Sequence, residues 1–136
     1  MPILSKNSAR TKSLQAVLDA FSGSYAQLRG VSEFGAYVAA KGDRAGLSWN
    51  DIAVIEVNEA FACVVLQFAR DAGLEDRFAD INPNGGGISL GHPLGATGAR
   101  VTATLLNELD RREARYGIAC MCIGFGQAIA AVIERV

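Results

Sequence analysis

The 136 residues have no excess of either charge, no long apolar run and no even set of cysteines, and each absence removes a class of protein. Thirteen basic and fourteen acidic side chains leave a formal charge of -1. Nothing in that balance recruits nucleic acid or an anionic membrane, so a phosphate-bearing ligand must be held locally. The longest apolar stretches run to about ten residues before Gly, Gln or charge interrupts them, against the ~20 that a membrane-spanning helix needs. The opening MPILSKNSARTK places a short apolar cluster ahead of polar and basic residues, the reverse of a secretory signal, and the expected location is cytoplasmic. Cys63, Cys120 and Cys122 are an odd number in a chain expected to stay inside, which favours free thiols over a disulfide framework.

Metal and nucleotide signatures are missing too. Cys120 and Cys122 with one distant histidine give neither the Cys-x-x-Cys pair nor the His spacing of a structural zinc site, so no metal is expected. The glycine-rich stretch contains neither Gly-Lys-Ser/Thr nor a Gly-x-Gly-x-x-Gly frame. No internal repeat or low-complexity segment is present.

What the chain does contain is alternation. Leu14, Val17, Leu18, Phe21, Tyr25 and Leu28 recur at helical spacing, and a second helical stretch is expected over about 33–45, stopping before Gly46 as a C-cap glycine. Ser48 and Asp51 have capping-box spacing, yet the β-branched run Ile52, Val54, Ile55, Val57 follows so closely that a turn entering a buried strand is favoured. That strand feeds a helix at Asn58, whose stripe Phe61, Val64, Val65, Phe68 and Ala72 ends at Gly73. A short extended segment near 78–81 leads into NPNGGGISLGHPLGATG, a structured loop too rich in glycine and proline for ordinary helix or strand. Ala99, Val101, Leu105, Leu106 and Leu109 then mark a helix, and GIACMCI and QAIAAVIERV, separated by GFG, read as a terminal hairpin. The fold class is α/β, with helices layered on a buried central sheet.

Four residues are candidates for chemistry. His92, the one histidine, sits between Gly91 and Pro93 in the loop, where it is either a structural imidazole or a site residue beside a strand end. Cys122 lies at a strand end before Gly124, whose unshielded N–H could serve a pocket; its alternative is a buried apolar cysteine. Asn58 is either a helix N-cap or an amide holding a water or carbonyl, and Glu59 beside it suits the helix dipole. Cys63 and Cys120 read as structural residues.

Three segments, VNEAFA at Val57–Ala62, NPNGGGISLGHPLGATGAR at Asn82–Arg100 and CIGFGQAIAAVIER at Cys122–Arg135, together resemble the C-terminal domain of thiolases. AGLSWNDIAVIE extends the resemblance upstream, so it covers roughly residue 38 onward. It divides the chain into residues 1–35, an N-terminal helical segment without resemblance, and residues 36–136, a thiolase C-terminal-like domain: layered helices on a central mixed sheet, with the first strand altered. It implies a Claisen-type exchange, condensation or thiolysis of a 3-ketoacyl-CoA, with coenzyme A thioesters as substrates and no other cofactor. In that scheme His92 matches the histidine that activates the nucleophilic cysteine and supplies an oxyanion donor, and Asn58 positions that hole's water. Cys122 matches the acid/base cysteine and Gly124 the backbone N–H of the second oxyanion hole. The acylated cysteine belongs to the family's N-terminal half and has no match here. Phe125-Gly126 stands where the family has a glycine pair, which narrows the pocket.

Two readings follow. In one, the chain is an acyltransferase part that pairs with a separately encoded N-terminal half and is inactive alone. In the other, it is a non-catalytic, thiolase-related binding or structural protein. Both leave exposed the apolar surface that would pack on the other half, so a homo-oligomer, such as a two-fold dimer, is expected.

Overall fold

The computed structural model describes residues 26–27, 43–124 and 127–136. The helix expected over residues 14–28 falls largely outside them. The two residues that are described there, Ala26–Gln27, form a short strand, β1, instead of helix. Most of the second expected helix also lies outside, but its stop is seen. Gly46 adopts φ +72°, and its N–H donates to the Asp43 carbonyl at 3.0 Å.

β2 (Ile52–Val57), β3 (Tyr116–Gly124) and β4 (Gln127–Glu134) join β1 in a mixed sheet of order β1-β4-β3-β2. β2 and β3 run parallel, and β3–β4 and β4–β1 are antiparallel. The hairpin expected from the two final apolar runs is therefore present; Phe125 and Gly126 at its turn lie outside the described residues. Between the parallel strands the chain forms α1 (Ala62–Asp71), a one-turn α2 (Gly87–Leu90) and α3 (Thr97–Arg111).

Two apolar clusters occupy the two faces of the sheet. On one, α1 contributes Val64, Val65, Phe68 and Ala69 to a core with Ile55, Val57, Ile118, Cys120 and Val132. On the other, Val101, Leu105 and Leu109 of α3 meet Val54, Ala119 and Ile133. Alternation along β2 explains most of this division. Ile52 breaks it, joining Ile55 and Val57 on the α1 side, because the β2–β3 register slips by one residue between Ile52 and Val54. The extra residue, Ala53, resets the phase. Close contact between α3 and the sheet depends on Gly117, where a Cβ would come within 2.6 Å of Leu105 Cδ1.

Several expectations need correction. The Ser48–Asp51 spacing produces a real turn, a 3-10 helix over Trp49–Asp51, with Asp51 Oδ2 accepting from the Ser48 N–H at 2.8 Å and hydroxyl at 2.7 Å. β2 then follows directly, as expected. α1 starts at Ala62, four residues after Asn58, so Asn58 is not its cap. The helix ends as expected, with Gly73 at φ +65° just beyond Ala72. The segment before the loop is mainly a 3-10 helix, Glu75–Asp80, and only Ile81 is extended, bridging in parallel to Ile55. Glycine did not keep helix out of the loop altogether, since α2 makes one turn inside it. Cys63 projects into solvent from α1 and is no core residue, whereas Cys120 is buried.

Ion pairs fasten this scaffold beneath the loop. Glu108 of α3 is buried, and its carboxylate accepts from Arg111, Arg112 and Asn84. Arg112 also donates to Asp80 at 2.9 Å, and Arg77 donates to Asp80, Trp49 O and Ile52 O. The Arg111 and Asn84 hydrogen bonds hold the Glu108 carboxyl well below the usual range against the opposing effect of burial. The start of the loop at Asn84 is thereby tied to the last turn of α3.

Candidate functional site

The site forms where the parallel pair β2–β3 ends, the position at which open α/β sheets expose loops to ligands. Asn58 is the first residue beyond β2. Its N–H continues the ladder onto the Cys120 carbonyl at 2.9 Å, and its side chain is fully buried. Asn58 Nδ2 lies 3.3 Å from His92 Nε2.

His92 is held on its other side. Its Nδ1 lies 2.7 Å from Thr97 Oγ1, and that hydroxyl donates to the Pro93 carbonyl at 2.9 Å. A hydroxyl has one proton. With it committed to Pro93, Thr97 can only accept from His92, so Nδ1 carries the imidazole proton and Nε2 presents its lone pair toward Asn58. The backbone supports the same arrangement: Gly91 takes φ +97° ahead of the histidine, and Pro93 O also receives the N–H groups of Ala96 and Thr97 as α3 begins.

A second set of hydrogen bonds anchors the loop to β2. Asn82, itself at φ +48°, mimics a strand: its Oδ1 accepts from Val57 N–H and its Nδ2 donates to Val57 O, both at 2.8 Å. Glu59 does more than the expected service to a helix dipole. Its carboxylate accepts from Asn82 Nδ2 and from the Ile88 N–H at the start of α2, each at 2.9 Å. A Cβ at Gly86 would fall 2.2 Å from the Glu59 carboxyl carbon, so any side chain there would expel Glu59 from the loop.

Cys122 and Gly124 sit farther along β3, past the point where Asn58 pairs with Cys120, and Cys122 pairs with Ala128 of β4. Among the described residues no hydrogen bond links Cys122 to His92. The half-buried Cys122 thiol is pushed up from its ordinary value by burial, and Cys120 more strongly so. Both are neutral thiols near pH 7. The structure thus joins Asn58 to His92 and places Cys122 and Gly124 on the neighbouring strand end. Among the described residues no three His, Cys, Asp or Glu side chains are grouped as a metal would require.

Sequence reading missed Thr97 and Asn82 and gave Glu59 only a helix-dipole role. Thr97 carries a faint signal, since it follows Gly-Ala five residues after the only histidine and opens a helix. The pairing of Asn82 with β2 carries none, because it depends on a left-handed backbone at a non-glycine residue.

A line of hydrogen bonds from Asn58 through His92 and Thr97 to Pro93, at the end of a parallel strand pair and on a glycine-rich loop, marks the candidate site of an α/β domain. The sequence profile described as "Thiolase, C-terminal domain" matches residues 30–135, and the chain belongs to the thiolase family. The 3-ketoacyl-CoA thiolase of Erwinia tasmaniensis is 56% identical over 94 residues, covering 68% of this chain and 24% of that protein. Those of Klebsiella pneumoniae and Salmonella typhimurium are each 54% identical, with the same coverage. The chain therefore spans about a quarter of the length of these curated relatives. No helix among the described residues is long and apolar enough to cross a membrane.

Proposed function

We propose that these residues supply the C-terminal share of a thiolase active site acting on coenzyme A thioesters, with the nucleophilic cysteine contributed by the remainder of a thiolase. The observation that carries this reading is the Asn58–His92–Thr97 line, which leaves the unprotonated Nε2 facing the strand ends. A base needs that lone pair to take the proton of an incoming thiol. Having taken it, the same Nε2 becomes a donor, able to stabilise an oxyanion together with a water held by Asn58.

Cys122 serves as acid and base toward the α-carbon of the departing or arriving acyl group, for which a neutral thiol is the needed resting form. The Gly124 N–H is the donor to the second oxyanion. In thiolysis, attack on the 3-keto carbon breaks the Cα–Cβ bond, Cys122 protonates the released carbanion, and coenzyme A then takes the acyl group from the nucleophilic cysteine. None of the chain's cysteines fits that last role. Cys63 is exposed on α1, Cys120 is buried in the core, and Cys122 is already assigned.

The test is acetoacetyl-CoA thiolysis by the chain alone and in mixture with the N-terminal three quarters of a 3-ketoacyl-CoA thiolase relative. Activity is expected only in the mixture, with His92→Ala lowering kcat by on the order of a hundredfold or more. Activity unchanged by His92→Ala removes the role given to the imidazole. No turnover in either condition favours the alternative, a non-catalytic thiolase relative that binds or self-associates.

A further inference from the structure

Glu59 is the neighbour of Asn58 in sequence, yet it grips the opposite end of the segment that carries the imidazole. Its half-buried carboxylate faces two donors: Oε1 accepts from Asn82 Nδ2 and Oε2 from the Ile88 N–H, each at 2.9 Å. The Asn82 amide is fully used, since its other Nδ2 proton goes to Val57 O and its Oδ1 takes the Val57 N–H. Two donors converging on one side chain require two acceptors. A carboxylate supplies both, whereas a glutamine would set its own NH₂ against one of the donors.

The loop is shaped to admit this side chain. Gly86 is extended at φ −133°, outside the left-handed region that calls for glycine, so its missing Cβ answers a need for space. The Glu59 carboxyl group occupies that space, and a Cβ at Gly86 would overlap it. A Cβ at Gly87 would meet the Glu59 carbonyl oxygen at 2.9 Å. Both glycines press against one residue.

From Ile88 the chain reaches His92 within a single turn. α2 is closed by the Leu90 N–H on Gly86 O at 2.8 Å and the Gly91 N–H on Gly87 O at 3.0 Å. Glu59 holds the start of this turn. Its end passes through Gly91 to His92, whose Nε2 comes back to Asn58 Nδ2 at 3.3 Å. Asn58 and Glu59 thus hold the two ends of residues 88–92. The Asn58 contact is longer than the 2.7 Å from the ring to Thr97, so a loop that slid along the strand end would lose it first.

We infer that Glu59 is a positioning residue: it pins the first turn of α2 to the end of β2 and so sets the distance at which His92 Nε2 meets Asn58. The consequence for turnover rests on the thiolase reading above; the effect on the ring does not.

The experiment uses the full chain labelled with ¹⁵N and ¹³C, in which the single histidine makes every imidazole signal a report on this site. In the wild type a nuclear Overhauser cross-peak is expected between the Asn58 side-chain amide and the His92 ring. Glu59→Ala is expected to speed exchange of the Ile88 amide by about tenfold, the size of one lost hydrogen bond. The same variant abolishes the cross-peak and moves the Nε2 signal. Glu59→Gln, which keeps one acceptor, falls between it and wild type. Gly86→Ala retains Glu59 but takes its space, and reproduces the Glu59→Ala spectrum. In the Glu59→Ala background it adds nothing further, because the space is then vacant; additive effects count against the proposal. A variant that lowered stability alone would leave the ring signals of the folded chain as they are. In the mixed enzyme assay Glu59→Ala lowers kcat by on the order of tenfold or more with KM within about twofold, as loss of alignment at the reacting groups requires. A wild type without the cross-peak, or a folded Glu59→Ala chain that keeps it, overturns the proposal. Should either single variant not fold, the double variant Glu59→Ala/Gly86→Ala, whose new methyl fills the vacated space, is read in its place: loss of the cross-peak upholds the role, and retention overturns it. Ring signals that respond while no mixture turns over uphold the positioning role and count against the thiolase reading alone.

Discussion

Because Thr97 gives its hydroxyl proton to Pro93, it offers His92 Nδ1–H lone pairs only, and with the Asn58 amide able only to donate to Nε2 it sets the imidazole's protonation pattern. Thr97→Val keeps the shape and removes the acceptor. We expect a loss of stability of about 1–3 kcal/mol from the stranded ring N–H, read by urea unfolding, and a shift of ¹⁵N signals toward the Nε2–H tautomer. In the mixed enzyme the variant has a lower kcat, since the wrong tautomer puts a proton where the base needs a lone pair. An unchanged ring spectrum would show that something other than Thr97 sets the tautomer. At this scale, His92, Asn58 and Cys122 stood out in the sequence as candidates because each is a chemically distinctive residue next to a glycine or a strand end, and the structure brings the first two together. Their supports did not stand out. Glu59 looks like any acid near a helix start until the loop folds back and sets Ile88 N–H on its carboxylate.

Between elements, electrostatics acts with two opposite signs. Glu108 and Asp80 are held below their ordinary values of 4.5 and 3.8: for Glu108 the bonds from Arg111 and Asn84 lead, and for Asp80 those from Arg112 and Arg77 outweigh burial. A depressed carboxyl contributes stability above its unfolded value and loses it as pH falls. Urea midpoints are therefore expected to drop below about pH 4.5, and to drop less in Glu108→Gln, which is already weakened at pH 7. Glu56 has the reverse sign. With a folded value raised from 4.5 to about 7, its contribution is whole below pH 4.5 and declines as pH rises through 7, a slope that Glu56→Gln should lack. The elements themselves were readable where periodicity was strong, as in β2, α1, α3 and the β3–β4 hairpin. Reading failed at Glu75–Asp80, where 3-10 turns have no periodic signature, and at Asn58, where four residues of turn separate a strand from the helix that seemed to follow at once.

For the molecule as a whole, the segments that carry Asn58 and His92 also carry exposed apolar side chains. Phe61 is 71% exposed and Leu94 81%, with Ile88 and Leu90 also exposed close by in sequence to Glu59 and His92. On the thiolase reading proposed above, side chains of this kind suit a covering surface, either the rest of a thiolase or a second copy of the chain. Sedimentation at micromolar concentration is expected to show association, and Phe61→Ser with Leu94→Ser to weaken it while leaving the unfolding free energy within about 0.5 kcal/mol of wild type, as substitutions on exposed surface usually do. A wild-type monomer that also fails to bind the N-terminal part of a thiolase would mean that these side chains cover nothing.

The slip at Ala53 has a consequence for how the gene can vary. Beyond that residue, every side chain of β2 takes the opposite face from the one a uniform count from Ile52 would assign. Deleting the single codon for Ala53 would leave the charge and the segments Val57–Ala62, Asn82–Arg100 and Cys122–Arg135 intact. It would nevertheless force a choice between turning Ile52 out of its core and inverting the strand, which would carry Glu56 into the apolar layer under α1 and Val57 toward Arg100. Length between residues 52 and 57 is thus under as strict a constraint as the identity of Asn58 itself, and an indel scan across β2 would locate it.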